Sequence, residues 1–382
     1  MTKSTGSEMS RSPTRPTLPP LLRGALVVAL LYLFLVGVRL LEGGIKGFGS
    51  DFTDALFDNV TNPVAGLLVG VLATVLVQSS SVTTTTIVGL VASGLLNVEA
   101  AVPMIMGANI GTTVTNTIVS LAHVRQTEEF RRAFTAATMH DFFNVIAVAV
   151  LLPLELVTKI LSRTAQEVAE FISGSSGATF PSPIKGVVSW GADRFEDLLE
   201  VVAAGDTLAA LGIALGIGFI FLTLTFITTN MRVLVAARIE RSLNAALARS
   251  GLVGMAVGMI VTIAVQSSSI TTSILIPLVA SGILVVRNAY PITLGANIGT
   301  TITALLAALA AGATAGLTIA VTHTLFNVVG IVLIYSIPRL RYVPVELADR
   351  LAGFVMKRKS LAVAYTFGVF VVVPIVGIVV FR

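Results

Sequence analysis

Predominantly apolar runs long enough to cross a bilayer recur along this chain, among them Leu21–Leu41, Leu208–Ile227 and Ala362–Phe381. A water-soluble domain cannot bury several such runs, whereas a membrane needs about 20 residues of this kind for each helical crossing. The runs do not alternate in polarity, so they read as helices and not as the strands of a barrel. Composition agrees: 55% of the 382 residues are hydrophobic, 12% are charged, and the mean hydropathy is +0.93. The expected fold class is therefore an all-α polytopic membrane protein, with membrane lipid as its surroundings. The absence of cysteine excludes disulfides, and with only three histidines a structural zinc site is not expected. The net charge of +5 is assigned to basic cytoplasmic loops and not to a nucleic-acid surface.

The chain also repeats itself. The stretch VQSSSVTTTTIVGLVASGLLNVEAAVPMIMGANIGTT starts at Val77, and VQSSSITTSILIPLVASGILVVRNAYPITLGANIGTT starts at Val265. From each Gln onward, 22 of 36 positions are identical without a gap, at a constant offset of 188. HDFFNV at His140 answers HTLFNV at His323 after a short deletion. The copies share their polar stretches more than their apolar ones, so the duplication points to a binding site between two halves more than to packing alone.

Loop charges give an orientation. Lys3, Arg11, Arg15 and Arg23 place the N-terminal tail inside. Residues 1–20, rich in Pro, Ser and Thr, are expected as a flexible tail. The run after them lacks a clear cleavage site and reads as a retained first span. The first repeat, 21–154, then comprises this span, the acidic stretch Glu42–Asp58 outside, a hairpin over 61–96, and spans at 100–122 and 133–153. The hairpin halves are shorter than a full span, so the hairpin is expected to be re-entrant. An outside linker covers 155–206. The second repeat, 207–338, comprises a span returning to Arg232, Arg238, Arg241 and Arg249, a hairpin over 251–286, and spans at 289–311 and 316–337. A basic inside loop, 339–359, and a last span, 360–382, end the chain. The two copies come out with inverted topology, one hairpin opening outward and the other inward.

Each QSSS marks a helix break at bilayer depth, where free backbone groups are tolerated only inside protein or facing a water-filled cavity. The helix that begins there offers unpaired N–H donors and a partial positive charge, a ready anion site. Ser79, Ser80, Ser81, Ser267, Ser268 and Ser269 add hydroxyls, while Gln78 and Gln266 can both donate and accept. In GANIGTT, the glycines at 107, 111, 295 and 299 allow unwinding or close approach. Asn109, Asn297, Thr112, Thr113, Thr300 and Thr301 then supply oxygens suited to Na⁺. Small-residue packing is the competing account of those glycines. Asp141 is an isolated acid within an apolar span, a candidate cation ligand with a structural alternative in pairing to Arg131 or Arg132. His140 and His323 are read as packing residues. Neither repeated stretch contains Lys or Arg, so a divalent anion bound there has to be neutralised by co-bound cations and helix ends.

QSSS in both halves, IMGANIGTTVTNTIVSL, FRRAF, HDFFN, LLPLE and YPITLGANIGTT resemble the type II sodium-dependent phosphate cotransporters, in a bacterial form. The resemblance covers roughly 66–155 and 251–338. It implies uptake of inorganic phosphate, mainly as HPO₄²⁻, driven by Na⁺ through alternating access, with no organic cofactor and no enzymatic activity. It implies phosphate on the triplets Ser79–Ser81 and Ser267–Ser269; Gln78, Gln266, Asn109, Asn297, Thr112 and Thr300 join the candidate phosphate residues on their own polar groups. The resemblance implies Na⁺ on Thr117, Asn144 and Asp141, with Asp141 implying an electrogenic cycle of three Na⁺ per phosphate; Asn109, Thr113, Asn297, Thr301 and Asn327 join the candidate Na⁺ ligands. The chain departs from the family in its shorter, cysteine-free central loop, in Ala296 where several relatives carry Ser, and in His123 and Gln126. Localisation is expected in the plasma (inner) membrane, N-terminus inside, and the oligomeric state is left open. Competing readings are a Na⁺-coupled carrier of another oxyanion or a dicarboxylate, an intramembrane serine hydrolase, and a passive channel. Adjacent His140 and Asp141 point about 100° apart on a helix, which does not make a catalytic relay.

Overall fold

The computed structural model describes residues 19–47, 62–125, 127–174, 185–247 and 251–381. The expected tail through residue 18, the acidic stretch from 48 to Asp58, Gln126 and Arg249 lie outside the described residues. All regular structure described is helical. Six helical stretches are long and apolar enough to cross a membrane among the described residues: Pro20–Leu41, Thr127–Thr158, Gly205–Ile227, Val286–Ala311, Thr314–Tyr335 and Ser360–Phe381.

In chain order the helices are α1 (Pro20–Gly47), α2 (Pro63–Val77), α3 (Ser80–Ala92), α4 (Val98–Gly111) and α5 (Val114–Ser120). Then come α6 (Thr127–Thr158), α7 (Ile160–Ser173), α8 (Lys185–Glu200) and α9 (Gly205–Leu247). The second copy supplies α10 (Gly251–Val265), α11 (Ser268–Ala280), α12 (Val286–Ala311) and α13 (Thr314–Tyr335). The chain closes with α14 (Val343–Val355), α15 (Ser360–Phe367), a π-helical turn at Gly368–Val372, and α16 (Val373–Phe381). Helices α7 and α8 lie inside the segment expected as a linker, and α14 lies inside the expected basic loop.

The starts of α2 and α4 are set by capping. Asn62 Oδ1 accepts from Val64 N at 2.9 Å ahead of Pro63, and Asn97 Oδ1 accepts from Ala100 N at 2.7 Å. The paired short helices α2–α3 and α10–α11 lie within residues 61–96 and 251–286. Each first half docks against the helix that comes after the hairpin, α2 on α4 and α10 on α12. Apolar side chains gain nothing by leaving lipid for protein, so this docking depends on close backbone approach. A Cβ on Gly107 would collide with the Leu67 carbonyl oxygen, and one on Gly295 with that of Met255. The GANIGTT glycines therefore act as contact surfaces between helices.

The expectation of an unwound helix holds in one copy only. Thr112 and Thr113 separate α4 from α5, whereas α12 runs without interruption through Gly295–Thr301. The physical difference is local: Thr112 and Thr113 carry the chain in a turn, and a seven-residue helix comes next. In the second copy the same residues are flanked by Ala304, Ala307 and Ala308, fully buried and good helix formers.

The second helix of each hairpin crosses to the other copy. α3 packs against α12 and α13, and α11 packs against α5 and α6. The interior between them holds Met106, Met139, Phe143 and Phe326, each at most 1% exposed. Embedded in this apolar interior is a row of buried polar side chains.

Candidate functional site

At the joint of each hairpin one glutamine carries the chain through the left-handed region. Gln78 has φ 56° and Gln266 has φ 55°. For a residue with a Cβ this conformation costs about 1–2 kcal/mol. The amide offsets it. Gln78 Nε2 donates to Val75 O at 2.5 Å, satisfying a carbonyl left open by the end of α2, and its Oε1 accepts from Thr115 Oγ1 at 3.1 Å. Gln266 repeats both bonds, to Ile263 O at 2.7 Å and from Thr303 Oγ1 at 2.8 Å.

Ser79 and Ser267 come next as N-caps, accepting from Val82 N at 3.3 Å and from Ile270 N at 3.4 Å. Their own hydroxyl oxygens are thus engaged with the helix. The backbone N–H groups of Ser80, Ser81, Ser268 and Ser269 fall in the first turns of α3 and α11, where no upstream carbonyl reaches them. Ser80, Ser81 and Ser268 are buried and Ser269 is partly buried. Each tip is therefore a sheltered set of donors with the positive end of a helix behind it.

Helix α5 touches both hairpins. Gln78 is held by Thr115, and the neighbouring Asn116 holds α11: Asn116 Nδ2 donates to Thr272 Oγ1 at 2.8 Å and Asn116 Oδ1 accepts from Ser273 Oγ at 3.1 Å. Thr272 Oγ1 in turn donates to Ser268 O at 2.8 Å. Asn116 is 1% exposed.

Beside the tips runs a continuous polar chain from one copy to the other. His140 Nε2 donates to Asn297 Oδ1 at 2.5 Å, Asn297 Nδ2 donates to Asn144 Oδ1 at 2.9 Å, and Asn144 Nδ2 donates to Asn109 O at 2.9 Å. His323 Nε2 donates to Asn109 Oδ1 at 3.4 Å. All five residues are at most 3% exposed. Four buried atoms of this region find no hydrogen-bond partner among the described residues: Asn109 Nδ2, Asn327 Oδ1, and Nδ1 of both His140 and His323. The histidines, expected as packing residues, bridge the halves.

Asp141, 2% exposed, sits in α6 next to His140. Its Oδ2 accepts from Tyr365 Oη at 2.9 Å, and its Oδ1 has no partner among the described residues. The structural alternative of a salt bridge to the adjacent arginines does not form. Arg131 pairs with Asp349 through two bonds of 2.8 and 3.1 Å, and Arg132 Nε donates to Glu128 O at 3.3 Å.

The threonines spend their hydroxyl protons on their own helices. Thr112 donates to Ala108 O, Thr113 to Ile110 O, Thr117 to Thr113 O, Thr300 to Ala296 O and Thr301 to Ile298 O, at 2.8–3.3 Å. A hydroxyl whose proton is committed this way presents only lone pairs to its surroundings, the arrangement a cation needs.

Of the residues singled out from sequence, Gln78 and Gln266 support the tips with their amides. Asn109, Asn144 and Asn297 join in one network with both histidines, and Asn327 stands beside it with Nδ2 bonded to His323 O at 3.3 Å. Asn116, Thr115, Thr303, Thr272, Ser273 and Tyr365 were not singled out. Thr115 and Thr303 carry a readable signal, since both stand 37 residues after their glutamine. Tyr365 belongs to neither copy, so the duplication gives no clue to it.

The family model described as Na⁺/Pi-cotransporter matches residues 33–175 and 219–337. The chain is 32% identical to sodium-dependent phosphate transport protein 2B of Homo sapiens, covering 92% of this chain and 64% of that protein. It is 34% identical to protein 2A of Ovis aries and 35% identical to protein 2A of Oryctolagus cuniculus, covering 93% and 94% of this chain and 67% of each relative. It thus spans about two thirds of the length of these relatives. No solved structure matches. A family match over both copies, and relatives aligned along nearly the whole chain, agree with the duplicated tips and the polar chain between them: this protein belongs to the Na⁺/Pi-cotransporter family.

Proposed function

We propose that the chain is a secondary active transporter that couples inward Na⁺ flow to uptake of inorganic phosphate as HPO₄²⁻. Phosphate binds between the two hairpin tips, on the N–H groups and hydroxyls of Ser79–Ser81 and Ser267–Ser269 and the amides of Asn109 and Asn297; Thr112 and Thr300, whose hydroxyl protons go to Ala108 O and Ala296 O, contribute to this region only as acceptors. Gln78 and Gln266 shape the tips and have one amide hydrogen each left for the substrate. Na⁺ is held by Thr113, Thr117, Asp141, Asn144, Thr301, Asn327 and the amides of Asn109 and Asn297. Hydroxyl, amide and carboxylate oxygens are hard ligands suited to an alkali ion. The cycle is electrogenic, with Asp141 carrying one of the ions.

One observation carries this reading. Among the described residues, no lysine or arginine is buried, although two carboxylates are, Asp141 and Glu155, the latter capping α7 through Leu161 N and Ser162 N. A doubly negative guest in this interior has only helix ends and co-bound cations to neutralise it, since bare charge at bilayer depth is costly. Substrate and Na⁺ then each raise the other's affinity, which is symport by electrostatics.

The two copies act with opposite orientation, N-terminus inside, in the plasma (inner) membrane. The hairpin tips then face each other near mid-membrane, and alternating access arises from exchange of the two arrangements. The division into two repeats, at 21–154 and 207–338, is part of this proposal. The family is one of transporters, and no enzymatic step enters the reading. Uptake of radiolabelled phosphate into proteoliposomes under an imposed Na⁺ gradient tests it. The expected result is accumulation that needs the gradient. Equal uptake with the gradient absent refutes it.

A further inference from the structure

We propose that Tyr365, on the terminal span outside both copies, is a positioning residue for Asp141 that makes the last span part of the Na⁺ site. This rests on Asp141 being a cation ligand in the proposed transport cycle.

The terminal span is the least embedded of the candidate crossings among the described residues, with 17% of its most apolar stretch buried inside the protein. Yet it sends one polar group inward. Tyr365 Oη donates to Asp141 Oδ2 at 2.9 Å. Oδ1, buried and without a partner among the described residues, is left on the free edge of the group. A carboxylate fixed through one oxygen presents the other in a constant direction, as outer-sphere partners do for metal-binding carboxylates.

The tyrosine is itself held. Its ring packs edge-on against Phe134 on α6 at 6.1 Å and against Phe370 at 6.2 Å. Phe370 lies in the π-helical turn that interrupts this span directly after α15, and the extra residue of such a turn rotates the helix beyond it. Past the turn, α16 packs on α2, where Gly377 leaves room for Leu68. One span thus touches the Asp141 carboxylate with its first part and the first hairpin with its second. The matched family region ends at residue 337, so the site read from the two copies alone lacks this contact.

The test uses the full chain in proteoliposomes, with initial phosphate uptake measured against Na⁺ concentration and choline as the replacing ion. Tyr365→Phe keeps the ring and its packing and removes only the donor. The half-saturating Na⁺ concentration is expected to rise about tenfold, the low end for loss of an outer-sphere partner. The phosphate KM at saturating Na⁺ is expected to stay near wild type. Phe370→Leu disturbs the same ring without touching the hydrogen bond and is expected to keep wild-type Na⁺ dependence. Adding Tyr365→Phe to Asp141→Gly is expected to change nothing further, because the tyrosine acts through the acid.

A Na⁺ curve unchanged in Tyr365→Phe overturns the inference. So does a Phe370→Leu shift of equal size, or a Tyr365→Phe shift that persists in the Asp141→Gly background. Failure of the wild-type chain to need Na⁺ at all would instead sink the transport reading, so the two failures are distinct.

Discussion

Asn297 donates to Asn144 at 2.9 Å, while their counterparts Asn109 and Asn327 leave the equivalent donor and acceptor, Asn109 Nδ2 and Asn327 Oδ1, buried and unpaired among the described residues. Two nearly identical elements thus stand in different states within one molecule. Truncating Asn144 strands Asn297 Nδ2, whereas truncating Asn327 removes an acceptor that has no partner here. Asn144→Ala is expected to cost about 1–3 kcal/mol, seen as a lowered thermal midpoint in detergent. Asn327→Ala is expected to leave that midpoint close to wild type while weakening Na⁺ activation of uptake. Equal destabilisation by both would show that the asymmetry has no energetic weight.

The glycines of GANIGTT give a packing prediction. Gly107→Ala and Gly295→Ala each drive a Cβ against a backbone carbonyl, which cannot move without undocking α2 or α10. Each is expected to cost roughly 3 kcal/mol or to abolish folding. Gly218→Ala is the control, since nothing lies within 4 Å of its added Cβ. It is expected to hold or slightly raise the thermal midpoint, because alanine favours helix over glycine by about 1 kcal/mol.

Much of this was legible in the sequence because duplication repeats what matters. The short paired helices, the helix start after each QSSS and the pairing of polar stretches can be read from an offset of 188 and the lengths of the apolar runs, whereas the use of Ser79 and Ser267 as N-caps cannot. The state of each copy was not legible. The same GANIGTT residues break a helix at Thr112 and run straight through Thr300, since the downstream residues differ: Asn116 in one copy stands where Ala304 stands in the other. Contacts with elements outside the copies were also hidden. Tyr365 reaches Asp141 across 224 residues, and nothing local to either marks the pair. The role of His140 and His323 was hidden for another reason: a buried histidine reads as packing until its partner on the other half is placed.

The glutamines separate backbone from side chain. Gln78→Gly keeps the left-handed turn, which glycine adopts readily, and removes the bonds to Val75 and Thr115. The hairpin is expected to fold with near wild-type stability, because relief of backbone strain offsets the lost bonds. Phosphate affinity is expected to fall because the tip no longer rests on α5. Gln78→Ala keeps the strain as well as losing the bonds, and is expected to show a lower thermal midpoint than Gln78→Gly. Thermal midpoints with phosphate KM for the two variants decide it.

As the proposed ligand of one Na⁺, Asp141 would set the charge that moves. Three Na⁺ with HPO₄²⁻ carry one net positive charge, and loss of one ion makes the cycle neutral. Asp141→Gly is expected to keep phosphate uptake while abolishing the associated current, measured together in the same vesicles. A current per phosphate equal to wild type would remove the acid from the ligand set.

Mutual neutralisation of anion and cation at the two tips is tested most directly by phosphate binding to the purified protein, titrated in NaCl and in choline chloride at equal ionic strength. Phosphate affinity is predicted to collapse in choline, and Na⁺ affinity to rise with phosphate by the same factor. Phosphate bound equally well in both salts would contradict mutual neutralisation.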